Sequence, residues 1–412
     1  MSLKTHKISR VAWMAADETV KVMAALGRDK ARFAGGCVRD AVANVPSADI
    51  DIATSLTPPE VMARLKDAKI QCAPTGLKHG TVTAIVNGKP FEITTLRVDV
   101  ANFGRHADVR FTNDWQKDAA RRDFTINAMF ADMLGTVYDY FGGIEDLRLG
   151  RVVFVGDPEH RIKEDHLRIL RFFRFQARFG KGAPDKRALD ACAAQAQLIG
   201  RLSAERIRQE TLKILEADNC ATVWRIMLAR GIVTQFLPEA MCIDALEELV
   251  RLERRFDSDT FVLRRLAALL DVTPGGIDDI VSALRLSGVQ AGQLRRMIVK
   301  PMPVSTLMDH AEVRALVYRA GNDTARNLLL LAAAKEGDEN DLANLYDWAT
   351  RFRAPRLPIE PADILGLGVP SGPDVGTILR SVEEWWIAED FRHGRTACLE
   401  RLKEAVKAQK KA

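Results

Sequence analysis

Six cysteines are scattered over 412 residues, at Cys37, Cys72, Cys192, Cys220, Cys242 and Cys398, and no two form a Cys-x-x-Cys pair. That spacing gives neither a zinc ribbon nor a disulfide framework, so free thiols in a reducing cytoplasm are expected. No run approaches the ~20 apolar residues that a membrane span needs. The opening "MSLKTHKISRVAWMAADETV" lacks the apolar segment of a secretory leader and carries acids early, so a location off the membrane is expected. Gly-x-x-x-x-Gly-Lys-Ser/Thr is absent, which argues against a P-loop enzyme. Seven histidines show no metal-ligand spacing and no His-Asp dipeptide, so no HD phosphohydrolase domain is expected. Charge of one sign is also in short supply: the net +5 permits a nucleic-acid partner without demanding one.

What is present is ordinary globular material in unusual order. Hydrophobic residues make up 47% and charged residues 28%, enough over this length for two to four domains. Residues 1 to about 148 mix short β-like runs with helices. "RFA" (32–34), "DIDIAT" (49–54), "GTVTAIV" (80–86) and "PFEITTL" (90–96) read as strands rich in Thr, Val and Ile. Asn87-Gly88 supplies a hairpin turn between the last two. "TPPEVMARLKDA" carries a helix start at Thr57. After Gly150 the period changes to that of helices, broken at 272–276 and 354–373 by glycine and proline. The fold class expected is α+β: a head with a small mixed β-sheet and helices, then an all-helical remainder.

Four stretches carry candidate chemistry. In "FAGGCVRD" (33–40), Gly35 and Gly36 stand between a strand and a helix, where backbone amides can approach a phosphate and Arg39 can reach one. A plain tight turn would read the same way. In "SADIDIAT", Asp49 and Asp51 share one face if the strand runs through both. Two like charges side by side cost energy, and a hard divalent cation such as Mg2+, held by carboxylates plus substrate phosphates, would offset it. Glu92, in "FEITT", is a candidate third ligand from a neighbouring strand. In "ARRDFTINAM" (120–129), a helical reading puts Asp123 and Asn127 on one face, suited to sugar hydroxyls, with Arg122 free for phosphate; Asp123 as a helix cap is the structural alternative.

"KEDHLRILRFFRFQARFG" (163–180) reads as one helix with a stripe of Arg168, Arg171, Arg174 and Arg178. Asp165 and Arg168 stand three apart, a spacing that suits either a surface salt bridge or a template for a base. Arg only donates hydrogen bonds and ionised Asp only accepts them. Cytosine and adenine each pair an amino donor with a ring-nitrogen acceptor, and uracil and guanine reverse that polarity. One Asp–Arg pair would therefore accept C and A and reject U and G. Each buried group left unpaired by the wrong base costs about 1–3 kcal/mol.

In this order the motifs resemble those of the class II CCA-adding enzymes, the tRNA nucleotidyltransferases of the polymerase-β-like superfamily, whose relatives include bacterial poly(A) polymerases. "AGGCVRD" with "ADIDIAT", "RRDFTINAM", "DYFGGIEDL" (139–147), "EDHLR" (164–168) and "ERIRQE" (205–210) carry the likeness over roughly residues 30 to 215. It implies a nucleotidyltransferase head (1–148), a neck that recognises the base (149–215), and a body (216–330) and tail (331–412) that bind tRNA. It implies stepwise addition of CCA to the tRNA 3′ end from CTP and ATP, without a nucleic-acid template. Two Mg2+ ions on Asp49 and Asp51 would serve in-line attack on the α-phosphate. Gly35, Gly36, Arg39 and Arg122 would contact the triphosphate, and Asp123 and Asn127 the ribose. Asp165 and Arg168 would read the base, with Glu164 steadying Arg168. Arg171, Arg174, Arg178 and the basic C-terminus are candidate tRNA contacts. "AVANVPSA" departs from the Leu-Leu-Gly common after the first Arg-Asp, a change of helix packing and not of ligands.

Poly(A) addition, or CC-only or A-only addition, is the neighbouring reading, and an inactive RNA-binding protein the one from another class. "GLKHGTVTAI" (76–85) looks like the CCA-adding form of its strand, and 102–118 resembles the loop that helps full enzymes change from CTP to ATP.

Overall fold

The computed structural model describes residues 4–9, 11–47, 49–103 and 106–409, without the side chains of residues 4, 5 and 99–108. It forms two compact units, Met1–Pro238 with Ala283–Arg285, and Glu239–Ser282 with Leu286–Ala412.

The first unit is built on a mixed sheet. Among the described residues its strands are β1 (Lys4–Lys7), β2 (Ala31–Ala34), β3 (Asp51–Thr54), β4 (Gln71–Gly76), β5 (Thr81–Val86), β6 (Lys89–Thr95), β9 (Met129–Ala131) and β10 (Thr136–Asp139), while β7 (Arg97–Phe103) and β8 (His106–Phe111) pair separately. The order is β1-β10-β9-β2-β3-β6-β5-β4. Among the described residues only β3 and β6 run parallel, with Asp51 opposite Glu92, Ile52 opposite Ile93 and Thr54 opposite Thr95. Ile52, Ile93, Val82 and Phe33 are buried in this sheet. The acidic positions at the start of β3 and on β6 are exposed.

Local signals account for much of this. Asn87 and Gly88 both have positive φ (51° and 77°), the requirement of a type I′ hairpin between β5 and β6. Thr57 and Glu60 form a capping box on the Pro58–Asp67 helix. Two expected elements differ. The strand of the acid pair begins at Asp51, so Asp49 precedes it. The helix expected over 163–180 is two helices, Pro158–Glu164 and Arg168–Phe179. Asp165 interrupts them in extended backbone (φ −151°, ψ 109°), its carboxylate turning back to accept from the Leu167 amide at 3.1 Å. Such side-chain to backbone bonds let Asp compete with helix continuation.

The Arg168–Phe179 helix is fixed to the sheet-bearing part by aromatic packing. Phe124 lies 4.7 Å from Phe154 and 5.4 Å from Phe175, ring centre to ring centre. Phe124, Phe154 and Phe172 are buried, each worth roughly 1.5–3 kcal/mol. Apolar packing of this size is enough to hold the basic helix in place.

Among its described residues the second unit is helical apart from an isolated bridge between Ala240 and Leu270. Leu246, Leu249, Leu266, Leu328 and Leu331 are buried there. Ile364, Val382, Trp386, Cys398 and Leu402 form a core toward the C-terminus. Of the basic end, residues 410–412 lie outside the described residues, as do Gly104 and Arg105 in the segment 102–118.

Candidate active site

Gly35 starts the site because its left-handed backbone strains any residue with a side chain. Its φ is +67°, and a Cβ there would stand 2.8 Å from Nη1 of Arg122. The turn delivers the Gly36–Val42 helix and with it Arg39. Arg39 is buried, donates to Asp40 at 2.7 Å and to Oδ1 of Asn127 at 2.7 Å, and lies over the rings of Phe175 and Phe179. Arg122 donates to the Asn127 carbonyl at 3.3 Å and to Asp118 at 3.3 Å, while its Nε has no partner. Asp118 is buried and also accepts from Arg121 at 2.8 Å. Burial alone would raise its carboxyl, but the two guanidinium groups hold it below the usual carboxylate range.

These groups face a cavity of about 1330 Å3. Gly35, Gly36, Arg39, Asp49, Asp51, Arg122, Asp123, Asn127, Asp165 and Arg168 line it, together with Arg171, Arg174 and Arg178. Glu92 is beside it, in register with Asp51 on the parallel neighbour strand. Asp51 is open to the cavity, yet partial desolvation against the cavity wall pushes its carboxyl up; Glu92 and Asp49 push it further, against the pull of Arg122. This corner therefore holds more negative charge than its surroundings neutralise. Its donors are carboxylate oxygens, the class that suits Mg2+. Among the described residues no three His, Cys, Asp or Glu side chains converge into a ready-made metal site. An ion at Asp49 and Asp51 would need phosphate oxygens to complete its shell, as Mg2+ usually does.

Asp123 and Asn127 meet without a helix. A single 3-10 turn, Thr125–Asn127, brings Nδ2 of Asn127 within 3.0 Å of Oδ1 of Asp123. That oxygen also accepts from the Phe124 amide at 2.9 Å, and Oδ2 accepts from Nε of Arg171 at 2.7 Å. Burial works against the charge, yet Arg171, Asn127 and the Phe124 amide hold the Asp123 carboxyl down at about 2. Arg174 is likewise engaged, donating to Glu210 at 3.0 Å; burial and Arg171 pull its guanidinium down to about 10. Arg178 has the most open side chain of the three, 49% exposed and 3.8 Å from Asp40.

The same turn is supported from behind by "DYFGGIEDL". Asp139 accepts from the amides of Phe141, Gly142, Gly143 and Ile144 at 2.9–3.1 Å. Gly143 then lies so close that a Cβ on it would be 2.2 Å from the Thr125 carbonyl oxygen.

Asp165 and Arg168 sit on either side of the helix break, each held by a different partner. Glu164 accepts from Arg168 and from Arg161. Arg206 donates to Asp165 at 2.8 Å. Asp165 keeps lone pairs beyond those used by Leu167 and Arg206, and the guanidinium of Arg168 keeps donors beyond those given to Glu164 and to the Arg161 and Arg121 carbonyls.

Arg206 lines the cavity, and Arg161, Asp118 and Asp139 brace its walls from behind; the sequence reading names none of the four. Asp118, Arg121 and Arg122 do stand at helical i, i+3, i+4 spacing, a usable signal. Arg206 lies within the quoted "ERIRQE", but its partner is 41 residues away and no local pattern points to it.

Residues 31–153 match the family model of the poly A polymerase head domain, and 183–243 that of a probable RNA and SrmB-binding site of polymerase A. The mouse (Mus musculus) CCA tRNA nucleotidyltransferase 1, mitochondrial, is 34% identical over 385 residues, spanning 90% of this chain and 86% of the relative. A CCA-adding enzyme of Lactobacillus delbrueckii is 29% identical, over 90% and 93%. The crystal structure of the Bacillus stearothermophilus CCA-adding enzyme in complex with CTP superposes with a TM-score of 0.77 at 26% identity, over 96% of this chain and 98% of that one. With its α+β head, its helical remainder and this degree of likeness along nearly its whole length, the chain belongs to the CCA tRNA nucleotidyltransferase family.

Proposed function

We propose that this chain adds C, C and A stepwise to the tRNA 3′ end from CTP and ATP, releasing pyrophosphate and using no nucleic-acid template. One observation carries the reading: an acidic corner, an arginine-lined middle and an Asp–Arg pair at a helix break all line a single cavity.

Asp49 and Asp51, with phosphate oxygens completing the shell and Glu92 adding negative charge from the neighbouring strand, would hold two Mg2+ ions, which would lower the pKa of the 3′-hydroxyl and neutralise charge on the triphosphate. Arg122, between the acids and Asn127, and Arg39, braced on Asp40, bind triphosphate oxygens, the Gly35-Gly36 turn giving them close approach. Asn127, oriented by Asp123 and Arg39, takes the ribose hydroxyls. Arg168 donates to N3 of cytosine or N1 of adenine, and Asp165 accepts from the amino group. Glu164 and Arg206 hold these two against rotation. A base of reversed polarity would leave a donor facing a donor and an acceptor facing an acceptor. Arg178, with Arg171 and Arg174 behind it, contributes positive potential toward the RNA backbone.

In domain terms the head is 1–148 and the neck 149–215; the body (216–330) and tail (331–412) bind tRNA. Among the described residues no helix is long and apolar enough to cross a membrane. All six cysteines are free, which fits a reducing compartment; the cytoplasm remains our proposal, and the word mitochondrial belongs to the mouse relative's name.

A radiolabelled assay with tRNA lacking its CCA tests this. CTP and ATP together should extend it by three nucleotides. Long A tails, extension by only one of the two nucleotides, or retained tRNA without incorporation would each replace the reading.

A further inference from the structure

Arg161 stands where two halves of the site meet. It lies on the Pro158–Glu164 helix and is 6% exposed. Its Nη2 donates to the backbone carbonyl of Arg122 at 2.6 Å and to that of Arg121. Its Nη1 donates to the Glu164 carboxylate. The same Glu164 oxygen accepts from Arg168, whose Nη1 also donates to the carbonyl of Arg161 at 2.9 Å. One guanidinium therefore joins the backbone that carries Arg122 to the carboxylate that holds Arg168.

Resting on the function proposed above, these two arginines grip opposite ends of one nucleotide, Arg122 the triphosphate and Arg168 the base. The separation between them is then a ruler against which a nucleotide is measured. A displacement of about 1 Å at such a site can cost on the order of a hundredfold in rate. Few side chains could replace this link. Only a planar fork reaches two carbonyls and a carboxylate at once. An aliphatic side chain would take this donor from the Arg122 carbonyl, leave the Arg121 carbonyl with only the 3.4 Å bond from Arg168, and leave the shared Glu164 oxygen to Arg168 alone.

We infer that Arg161 is a positioning residue: it keeps the base-reading Arg168 in register with the triphosphate-holding Arg122, so that the identity of the base controls the rate of transfer. It touches neither base nor phosphate.

The test compares wild type, Arg161→Gln, Arg161→Lys and Arg168→Ala, using full-length protein, tRNA ending before its CCA, and CTP or UTP. Steady-state kcat and KM are measured beside the melting midpoint. For Arg161→Gln the preference for CTP over UTP should fall on the order of tenfold, chiefly through a lower kcat with CTP. Arg161→Lys, a single point charge able to reach Glu164, should recover part of it. A purely structural role would lower the melting midpoint and reduce both nucleotides by one common factor; that result overturns the inference. Should Arg161→Gln not fold, equal losses for CTP and UTP in Arg161→Lys overturn it as well. If wild type fails to incorporate CTP, the proposed function fails first. If Arg168→Ala loses discrimination and the Arg161 variants keep it, only this inference falls.

Discussion

Two clusters of charge in this protein look alike in sequence and differ in kind. In the helical second unit, Glu253, Arg264 and Arg265 are each 2–3% exposed. Arg264 donates to Glu253 at 2.7 Å, to Ser258, to Asn327 and to the Asp259 carbonyl, and Arg265 takes the other Glu253 oxygen at 2.8 Å. Every N–H of Arg264 is spoken for. In the cavity of the first unit, the side chains of Asp165 and Arg206 are 28% and 25% exposed, Arg178 is half open, and Asp51 sits among like charges. A saturated network has nothing left to offer a ligand; an unsaturated one facing a cavity does. Residual hydrogen-bonding capacity, more than charge or burial, separates structure from chemistry here.

The sharpest way to break that comparison is Asp51→Ala. Incorporation should vanish while tRNA remains bound in a filter-retention assay; surviving turnover would remove the acidic corner from the reaction. Next in size, Glu253→Ala strands two buried guanidinium groups and should cost about 3–5 kcal/mol in urea unfolding. Replacing Glu253, Arg264 and Arg265 together by apolar residues of similar volume should come close to neutral, which no cavity charge should tolerate in an activity assay. Arg168→Ala should then raise use of UTP and GTP relative to CTP and ATP by about tenfold; unchanged selectivity would refute the Asp–Arg template.

Acid titration gives the smaller effects. The Asp123 carboxyl is depressed to about 2, so its contribution is complete above its ordinary value and lost as pH falls from about 3.8 toward 2. That amounts to roughly 2 kcal/mol, and Asp123→Asn should flatten the stability curve over this window. Asp51 has the opposite sign. Its carboxyl is raised, so the folded state binds more protons than the unfolded chain, and stability declines as pH climbs from the ordinary carboxylate value through the raised one. In EDTA at neutral pH, Asp51→Asn should slightly raise the melting midpoint, and at pH 3 it should not.

Where one local rule suffices, the sequence was readable. Asn87-Gly88 and the Thr57–Glu60 box needed no tertiary information. β5 and β6 alternate buried and open positions over most of their length, which makes their period plain. β9 is buried at all three residues and too short to show a period, and the segment 102–118, likened to a loop, contains β8 and the last two residues of β7. The break at Asp165 was hidden because "KEDHLRILRFF" keeps its apolar spacing through it. Arg161 and Arg206 were missed for another reason: apart from Glu164, one turn from Arg161, their partners are carbonyls 39 and 40 residues away and a carboxylate 41 away, and backbone carbonyls leave no trace in composition.

The packing of Gly143 on the Thr125 carbonyl has a practical meaning for anyone cataloguing variants of this protein. A single added methyl at that position would press on the turn that presents Asn127, though residue 143 never meets the nucleotide. Lesions there should displace the turn that carries Asn127 and lower stability together with activity, and a survey confined to cavity-lining positions would pass them by.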